Sequence, residues 1–448
     1  METATFNISK NYTCDVLVVG GGVGGFSAAV SAARLGQKVF LVENGGFLGG
    51  TATKGLVGPF MTCYDSKGEG VIIKGIFAEF VDRMVKDGGA VSYRDCHGGD
   101  SYSGYRQNGH IGVTPFDIES FKRISEEMCL EAGVKLFYHT SLIGCEKKAN
   151  KIDCVYVAGS SGIMRIDAKM FIDATGSAFL SAMAGAETFR GDENGFLQTA
   201  SLFFRIDGVD KEELDKHMAE NQDMKKRYYM DEIENARLCG EFPCGTLKLR
   251  IYEAPNGFWT VNMAQVDGVL NELDTDTVTQ TEISQRKQAK QIFDFLKKTV
   301  PALKNIRLVD SASDIGIRES RRIIGRHTFT LDDIQKHKYF DDRIAVCANS
   351  VDIHMSDRVE YTAYDGGNYY IPLSAALSKN ITNLLAAGKC ISTDKYAHAA
   401  VRVMPPCMAM GEASGICAAL AAEKGIRHYE VSVSEIQKII IKNGGYIG

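Results

Sequence analysis

The residues with the clearest chemical meaning are Gly20, Gly22 and Gly25, at the three glycine positions of G-x-G-x-x-G within Gly20-Gly21-Gly22-Val23-Gly24-Gly25. The first glycine allows a tight turn, the second lets a diphosphate approach the backbone, and the third lets helix and strand pack closely. Free N–H groups opening the next helix, together with its dipole, favour an anion there. Glu43 lies eighteen residues beyond Gly25, close to the spacing of about 20 for an acid that binds an adenosine ribose. A second group of reactive side chains gathers toward the C-terminus: His354, Asp394, Tyr396, His398 and Arg402, with Arg318, Arg321 and Arg322 before them. Histidine carries protons near neutral pH, and arginine keeps its charge and grips carboxylates in a two-pronged fork. Of these, His398, Arg402, His354, Tyr396 and Arg321 are the candidates for acid–base work or substrate binding.

Those groups need elements to position them. Asp15-Val16-Leu17-Val18-Val19 reads as a buried strand, the Ala-rich stretch after Gly25 as a helix, and Lys38-Val39-Phe40-Leu41-Val42 as a second strand ending at Glu43. In a chain with 46 glycines the bare motif is weak; strand, helix, strand and acid in register make it strong. The chain continues Asn44-Gly45-Gly46-Phe47-Leu48-Gly49-Gly50-Thr51-Ala52-Thr53. So glycine-dense a loop suits FAD better than NAD, because the backbone must run close along the cofactor's diphosphate linker. Two more apolar strands point the same way, one ending in Asp173-Ala174-Thr175-Gly176 and one running from Asn383 to Gly388, Lys389 and Cys390. Met404-Pro405-Pro406-Cys407 then precedes a helix over roughly 406–424, its prolines fitting a helix N-terminus.

These blocks resemble the FAD-dependent oxidoreductase family related to the fumarate reductase and succinate dehydrogenase flavoproteins. The matching segments are Asp15 to Thr53, Phe171 to Gly185, Arg318 to Thr328, Val351 to His354 and Ile371 to Ala422. The most specific stretches are Glu319-Ser320-Arg321-Arg322-Ile323-Ile324-Gly325, Ala387-Gly388-Lys389-Cys390-Ile391-Ser392 and His398-Ala399-Ala400-Val401-Arg402-Val403-Met404-Pro405. The resemblance implies FAD as cofactor and sets Ala174, Thr175, Gly176 and Gly388 beside it. Lys389 follows Gly388 where many relatives carry an acid; either the backbone of Cys390 and Ile391 takes over that acid's role or Lys389 meets a ligand phosphate. The N–H groups of Cys407 and Met408 are expected to face the flavin ring, where a helix N-terminus stabilises negative charge. The fumarate-reductase active-site pattern is incomplete here, so that mechanism does not transfer.

At 448 residues the chain exceeds a single-core size, so two domains are expected. With 45% hydrophobic and 24% charged residues it has ordinary globular composition, and its net charge of −5 gives no footprint for nucleic acid. No apolar run approaches the roughly 18 residues of a membrane span. Met1-Glu2-Thr3-Ala4-Thr5-Phe6 lacks signal-peptide character, so a cytoplasmic location is expected. Twelve scattered cysteines with no C-x-x-C argue against an iron–sulfur cluster. Cys63 and Cys407 are expected near the flavin.

The expected fold class is α/β. A Rossmann-like FAD-binding domain, with a central parallel sheet and a β-meander, carries a smaller α+β substrate domain with an antiparallel sheet. The expected boundaries are 1–198 and 316–448 for the two parts of the FAD domain and 199–315 for the substrate domain. A glycine-rich lid over about 88–113 carries Asp95, His97, Tyr102, Tyr105, Arg106 and His110. Helices are expected near 70–87, from a Thr114 cap to Gly133, and within 210–237 and 278–299. Meander strands are expected at 141–146, 152–158 and 163–168, and antiparallel strands at 201–206, 247–252 and 258–263. No second strand–glycine–helix unit follows, which suggests one dinucleotide site per chain. The expected activity is hydride transfer between flavin and a small organic substrate at a C–C or C–O bond. The alternatives are an electron-transfer subunit with a redox partner protein and, disfavoured by the acidic balance, a tRNA-modifying flavoenzyme. A homo-oligomer stays open.

Overall fold

The computed structural model describes residues 5–61, 63–94, 113–266, 268, 270–355, 359–361 and 367–448. The expected lid residues Asp95, His97, Tyr102, Tyr105, Arg106 and His110 therefore lie outside the described residues.

The opening βαβ unit forms as its pattern dictates. Strand β1 (Ile8–Val19) is exposed at its start and buried from Val16 to Val19. Helix α1 (Val23–Arg34) is built of small residues and is buried over most of its surface. Strand β2 (Val39–Val42) runs parallel to β1 with Val19 opposite Val42. Helices α2 (Ile76–Lys86) and α3 (Ile118–Glu131) follow. The cap of α3 is Asp117, whose carboxylate accepts from the Ser120 N–H at 3.0 Å, and not Thr114. Thr114 precedes a proline, which disfavours helical backbone there, and it bridges to Phe60 as an extended residue.

Strands β3 (Lys135–Phe137), β4 (Ser141–Lys148), β5 (Lys151–Gly159) and β6 (Gly162–Asp173) complete most of a sheet ordered β3-β2-β1-β6-β5-β4. The third meander strand and the strand ending in Asp-Ala-Thr-Gly are one element. With no glycine or proline between Ile163 and Asp173 to break it, β6 pairs antiparallel with β5 at its start and parallel with β1 along its length.

Next come α4 (Phe179–Met183), β7 (Thr188–Arg190), β8 (Phe204–Asp207), α5 (Lys211–Glu220), α6 (Met224–Arg227) and α7 (Met230–Leu238). Then β9 (Ile251–Glu253), β10 (Trp259–Val261), α8 (Thr275–Thr299) and β11 (Arg307–Ser311) complete an antiparallel sheet ordered β11-β8-β10-β9. The chain returns through β12 (Arg321–Ile323), α9 (Leu331–Gln335), β13 (Arg343–Cys347), β14 (Asp352–His354), β15 (Val359–Tyr361) and β16 (Tyr369–Pro372). Strand β17 (Leu384–Ala386) joins the first sheet parallel to the end of β6. Helices α10 (Lys395–Val401) and α11 (Met404–Lys424) meet at a 94° bend, and α12 (Val433–Lys442) ends the chain. A Cβ on Gly411 of α11 would lie 2.2 Å from the Gly24 carbonyl oxygen, so α11 and α1 pack backbone to backbone. One contiguous apolar core joins both sheets. Among the described residues no single helix is long and apolar enough to cross a membrane.

Candidate active site

A cleft of about 490 Å³ opens where β1, β2, β6 and β17 end, the edge at which parallel sheets bind ligands. Gly20, Gly22, Val23 and Gly24 line it from the first turn, with Glu43 and Asn44 after β2. Gly49, Gly50 and Thr51 line it from the glycine-dense loop, Ala174, Thr175 and Gly176 from the end of β6, and Gly388, Lys389 and Cys407 from the C-terminal part. The three motif glycines differ in what surrounds them. Gly20 has φ +102° and a Cβ there would lie 2.4 Å from the Ala174 carbonyl oxygen. At Gly25 a Cβ would come within 1.9 Å of the Gly20 carbonyl oxygen, whereas at Gly22 it would meet nothing within 4 Å.

Glu43 is buried and accepts from Gly21 N at 2.8 Å, Gly45 N at 2.7 Å and Lys54 Nζ at 2.6 Å. A carboxylate has about four acceptor positions, so capacity for a hydroxyl donor remains. Asp173 was not anticipated. Its carboxylate accepts from Thr175 N and Oγ1 at 3.1 and 2.7 Å and from Ser181 N and Oγ at 2.8 and 2.7 Å, which pins the Ala174–Gly176 turn.

Four of the expected cofactor residues do not line the cleft. Gly25 serves packing, Ala52 and Met408 are buried in the core, and Thr53 closes its loop by donating to the Leu48 carbonyl at 2.7 Å. The Cys407 N–H is taken by the Val403 carbonyl at 3.2 Å. Pro405 and Pro406 have no N–H to give, so Met404 supplies the single donor in the first three positions of α11. Burial pushes the Cys407 and Cys63 thiols up to about 12, so both stay protonated. Cys63 is buried in the core and lines neither the cleft nor the cavity beside it.

That adjoining cavity, of about 190 Å³, shares Thr51, Ile317, Lys389, Arg402 and Met404 with the cleft. Strand β14 contributes Asp352 and His354 to its wall. His354 Nε2 lies 3.0 Å from Asp352 Oδ2, and Arg402 Nη2 lies 3.4 Å from both Asp352 oxygens. Burial first, then the Arg318 charge, hold the His354 pKa down to about 3 despite Asp352. The imidazole is therefore neutral, its proton assigned to Nε2 by the bond to Asp352. Arg402 Nε is buried and finds no acceptor among the described residues. Lys389 donates to the Ile317 carbonyl at the junction of the two spaces, and burial lowers its pKa to about 8.

His398, Tyr396 and Arg321 line neither space. His398 is 1% exposed and its Nδ1 lies 3.4 Å from Gln198 Nε2, while Gln198 Oε1 accepts from the His354 N–H at 3.3 Å. Burial, with the Arg322 and Arg402 charges, holds its pKa well below the usual histidine range. His398 and Arg402 do lie one helical turn apart, the Arg402 N–H donating to the His398 carbonyl at 3.0 Å, yet only Arg402 lines the cavity. Tyr396 packs half-buried against the core, and Arg321 Nε donates to the Ser177 carbonyl at 3.1 Å. Asp394 caps α10, and Arg322 forms a buried 2.6 Å ion pair with Glu319. Lys248, Arg250, Tyr252 and Asn262, none of them expected from the sequence, line the cavity from the antiparallel layer. Their signal was the alternation Lys248-Leu249-Arg250-Ile251, with Leu249 and Ile251 buried behind the two cations.

A family model described as FAD dependent oxidoreductase matches residues 15–440. The chain belongs to this family. FAD is accordingly its cofactor, and it is an enzyme. A stretch of 45 residues in this flavoenzyme is 49% identical to mitochondrial dihydrolipoyl dehydrogenase of Caenorhabditis elegans, covering 10% of this chain and only 9% of that protein's length. The enzyme is similar to a geranylgeranyl bacteriochlorophyll reductase-like protein from Thermoplasma acidophilum at 15% identity, over 97% of this chain and 84% of that one, with a TM-score of 0.49. It is similar to a flavoprotein/dehydrogenase from Cytophaga hutchinsonii at 13% identity, over 96% and 82% of the two chains, with a TM-score of 0.45. The residues present fit FAD: the space beside Gly22 is open to the cleft, and the buried Arg402 Nε at the junction has no acceptor among the described residues.

Proposed function

We propose that this flavoenzyme passes a hydride between FAD in the cleft and a small organic substrate in the adjoining cavity, at a C–C or C–O bond. The observation that carries this reading is the shared wall of Lys389, Arg402, Thr51, Ile317 and Met404, where occupants of the two spaces would meet. Gly20, Gly22 and Gly24 would hold the diphosphate and Glu43 the adenosine ribose. Gly49, Thr51 and Ala174 to Gly176 would follow the linker, and Gly388 and Cys407 would lie at the ring end. When bound, FAD supplies the two-electron exchange; the chain supplies orientation, electrostatics and a route for the proton.

Arg402 is fixed by Asp352 at the wall shared by the two spaces and would orient the substrate there. His354 is neutral with Nε2 committed to Asp352, so Nδ1 keeps a lone pair. In the oxidative direction a substrate C–H bond breaks with its electron pair leaving as hydride. The proton on the neighbouring oxygen or carbon goes to His354 Nδ1, where Asp352 offsets only part of the burial and Arg318 charge that hold the ring's pKa down to about 3. The reverse direction returns the same proton. The test is anaerobic stopped-flow mixing of the yellow protein with a metabolite panel. At least one small molecule should bleach the flavin, or reoxidise it once reduced, and His354→Ala should slow that step by about 10²–10⁴-fold with FAD retained. A flavin that exchanges electrons with none of them would overturn the reading.

A further inference from the structure

Resting on the assignment of His354 as the proton acceptor, we infer that Gln198 is a positioning residue for the reaction. Its side chain holds the His354 main chain at the cavity wall, and His398 anchors that side chain from beside Lys389. Gln198 and His398 line neither space, so both act through His354.

Strand β14 is three residues long, and His354 is held by a neighbouring segment as well as by its pairing with β15. The Thr199 N–H donates to the His354 carbonyl at 3.1 Å, and the His354 N–H donates to Gln198 Oε1 at 3.3 Å. Gln198 and Thr199 thus engage both main-chain polar groups of the base. The clamp is itself fixed. The Gln198 N–H donates to Glu319 Oε2 at 3.1 Å, and Glu319 is held in the buried ion pair with Arg322. The Thr199 hydroxyl donates to the Val266 carbonyl at 2.6 Å. Thr199 also places the charge that acts on the ring, because its carbonyl accepts from Arg318 Nη1 at 2.7 Å.

The Gln198 amide has one consistent orientation. A main-chain N–H can only donate, so the atom facing His354 is the amide oxygen, and the NH2 group faces His398 Nδ1 at 3.4 Å. That NH2 group can only donate in turn, so Nδ1 is unprotonated and the neutral ring carries its proton on Nε2. Deep burial, with the charges of Arg322, Arg402 and Lys389, keeps the ring from gaining a second proton, and the Lys389 main chain is its other hydrogen-bond partner. A proton on Nδ1 would set donor against donor and turn the amide, pointing NH2 at the His354 N–H. Buried polar networks whose members are satisfied hold a single arrangement. His398 is therefore a neutral acceptor that locks Gln198.

The test is NMR of the FAD-loaded full chain carrying histidine labelled with nitrogen-15, the two rings assigned from His354→Ala and His398→Leu. In the wild type His398 should carry its proton on Nε2. His354 is faced by Asp352 from β14, Arg318 from the segment before β12 and Arg402 from the end of α10. Its wild-type ring should stay neutral down to about pH 5. Gln198→Met keeps the length and removes both polar atoms, so the ring gains water and moves from the Arg318 charge. It should then become protonated between about pH 6.5 and pH 5, the ordinary histidine range. His398→Leu should do the same and add nothing further in the double variant. His398→Asn, whose Oδ1 can stand where Nδ1 stood, should keep His354 neutral. A His354 ring that stays neutral in both Gln198→Met and His398→Leu overturns the inference, as does a wild-type His398 with its proton on Nδ1. Failure of the hydride-transfer reading shows itself separately, as a flavin that no metabolite bleaches, and leaves these ring states unaltered.

Discussion

His354 Nε2 and Asp352 Oδ2 lie 3.0 Å apart, two residues from each other on the same short strand. Residues i and i+2 of a strand share a face, so β14 delivers acid and imidazole together to the cavity wall. The carboxylate fixes which ring nitrogen carries the proton, and burial keeps the ring neutral at physiological pH. Asp352→Asn should leave FAD content unchanged and slow flavin reduction on the order of 100-fold, because an amide holds neither the tautomer nor a developing imidazolium. Rapid-mixing rates across pH check this. An unaltered rate and pH profile would remove His354 from the proton path.

The motif glycines predict two separable failures. Gly22 has open space where a Cβ would stand, so Gly22→Val should fold normally and lose FAD, its isopropyl group occupying the diphosphate path. Gly25→Ala should instead destabilise the fold, since its Cβ would overlap the Gly20 carbonyl oxygen at 1.9 Å. Overpacking of that kind costs about 1–3 kcal/mol or more. Flavin content after gel filtration and thermal melts of both apoproteins distinguish the two outcomes. A Gly22→Val protein with full FAD content would show that the diphosphate lies elsewhere.

These contrasts explain what was legible in advance. The opening turn is read from local spacing, because Gly20 to Glu43 is one βαβ unit whose chemistry depends on near neighbours. The second cavity is assembled from residues some 150 positions apart, such as Arg250 and Arg402, and no local period reports that meeting. His398 and Arg402 show the same limit in small compass. Helical spacing sets them one turn apart, as the structure keeps them, but the long Arg402 side chain lines the cavity while the His398 ring stops against Gln198, which only tertiary packing decides. Thr114 lost the α3 cap to Asp117 for a local reason that the Thr-Pro dipeptide did carry.

Glu412 supplies a stability test remote from the active site. It sits in α11, 4% exposed, and its Oε2 accepts from the Ile76 N–H at 3.1 Å. Burial raises its pKa from 4.5 to about 7. Between those values the folded chain binds a proton that the unfolded chain has released, so this group's contribution falls as pH rises through the window and its full cost is reached above about pH 7. The buried histidines His354 and His428 act the other way. Their lowered pKa values, about 3 and about 4, make the fold gain stability as pH rises toward 6.5. The net curve therefore hides Glu412, and the difference from Glu412→Gln exposes it. The glutamine keeps an acceptor for Ile76 and cannot ionise. The variant should match the wild type near pH 4.5 and exceed it by on the order of 1–3 kcal/mol above pH 7. Urea unfolding at a series of pH values measures both curves, and a constant difference across the range would mean that Glu412 stays ionised in the fold.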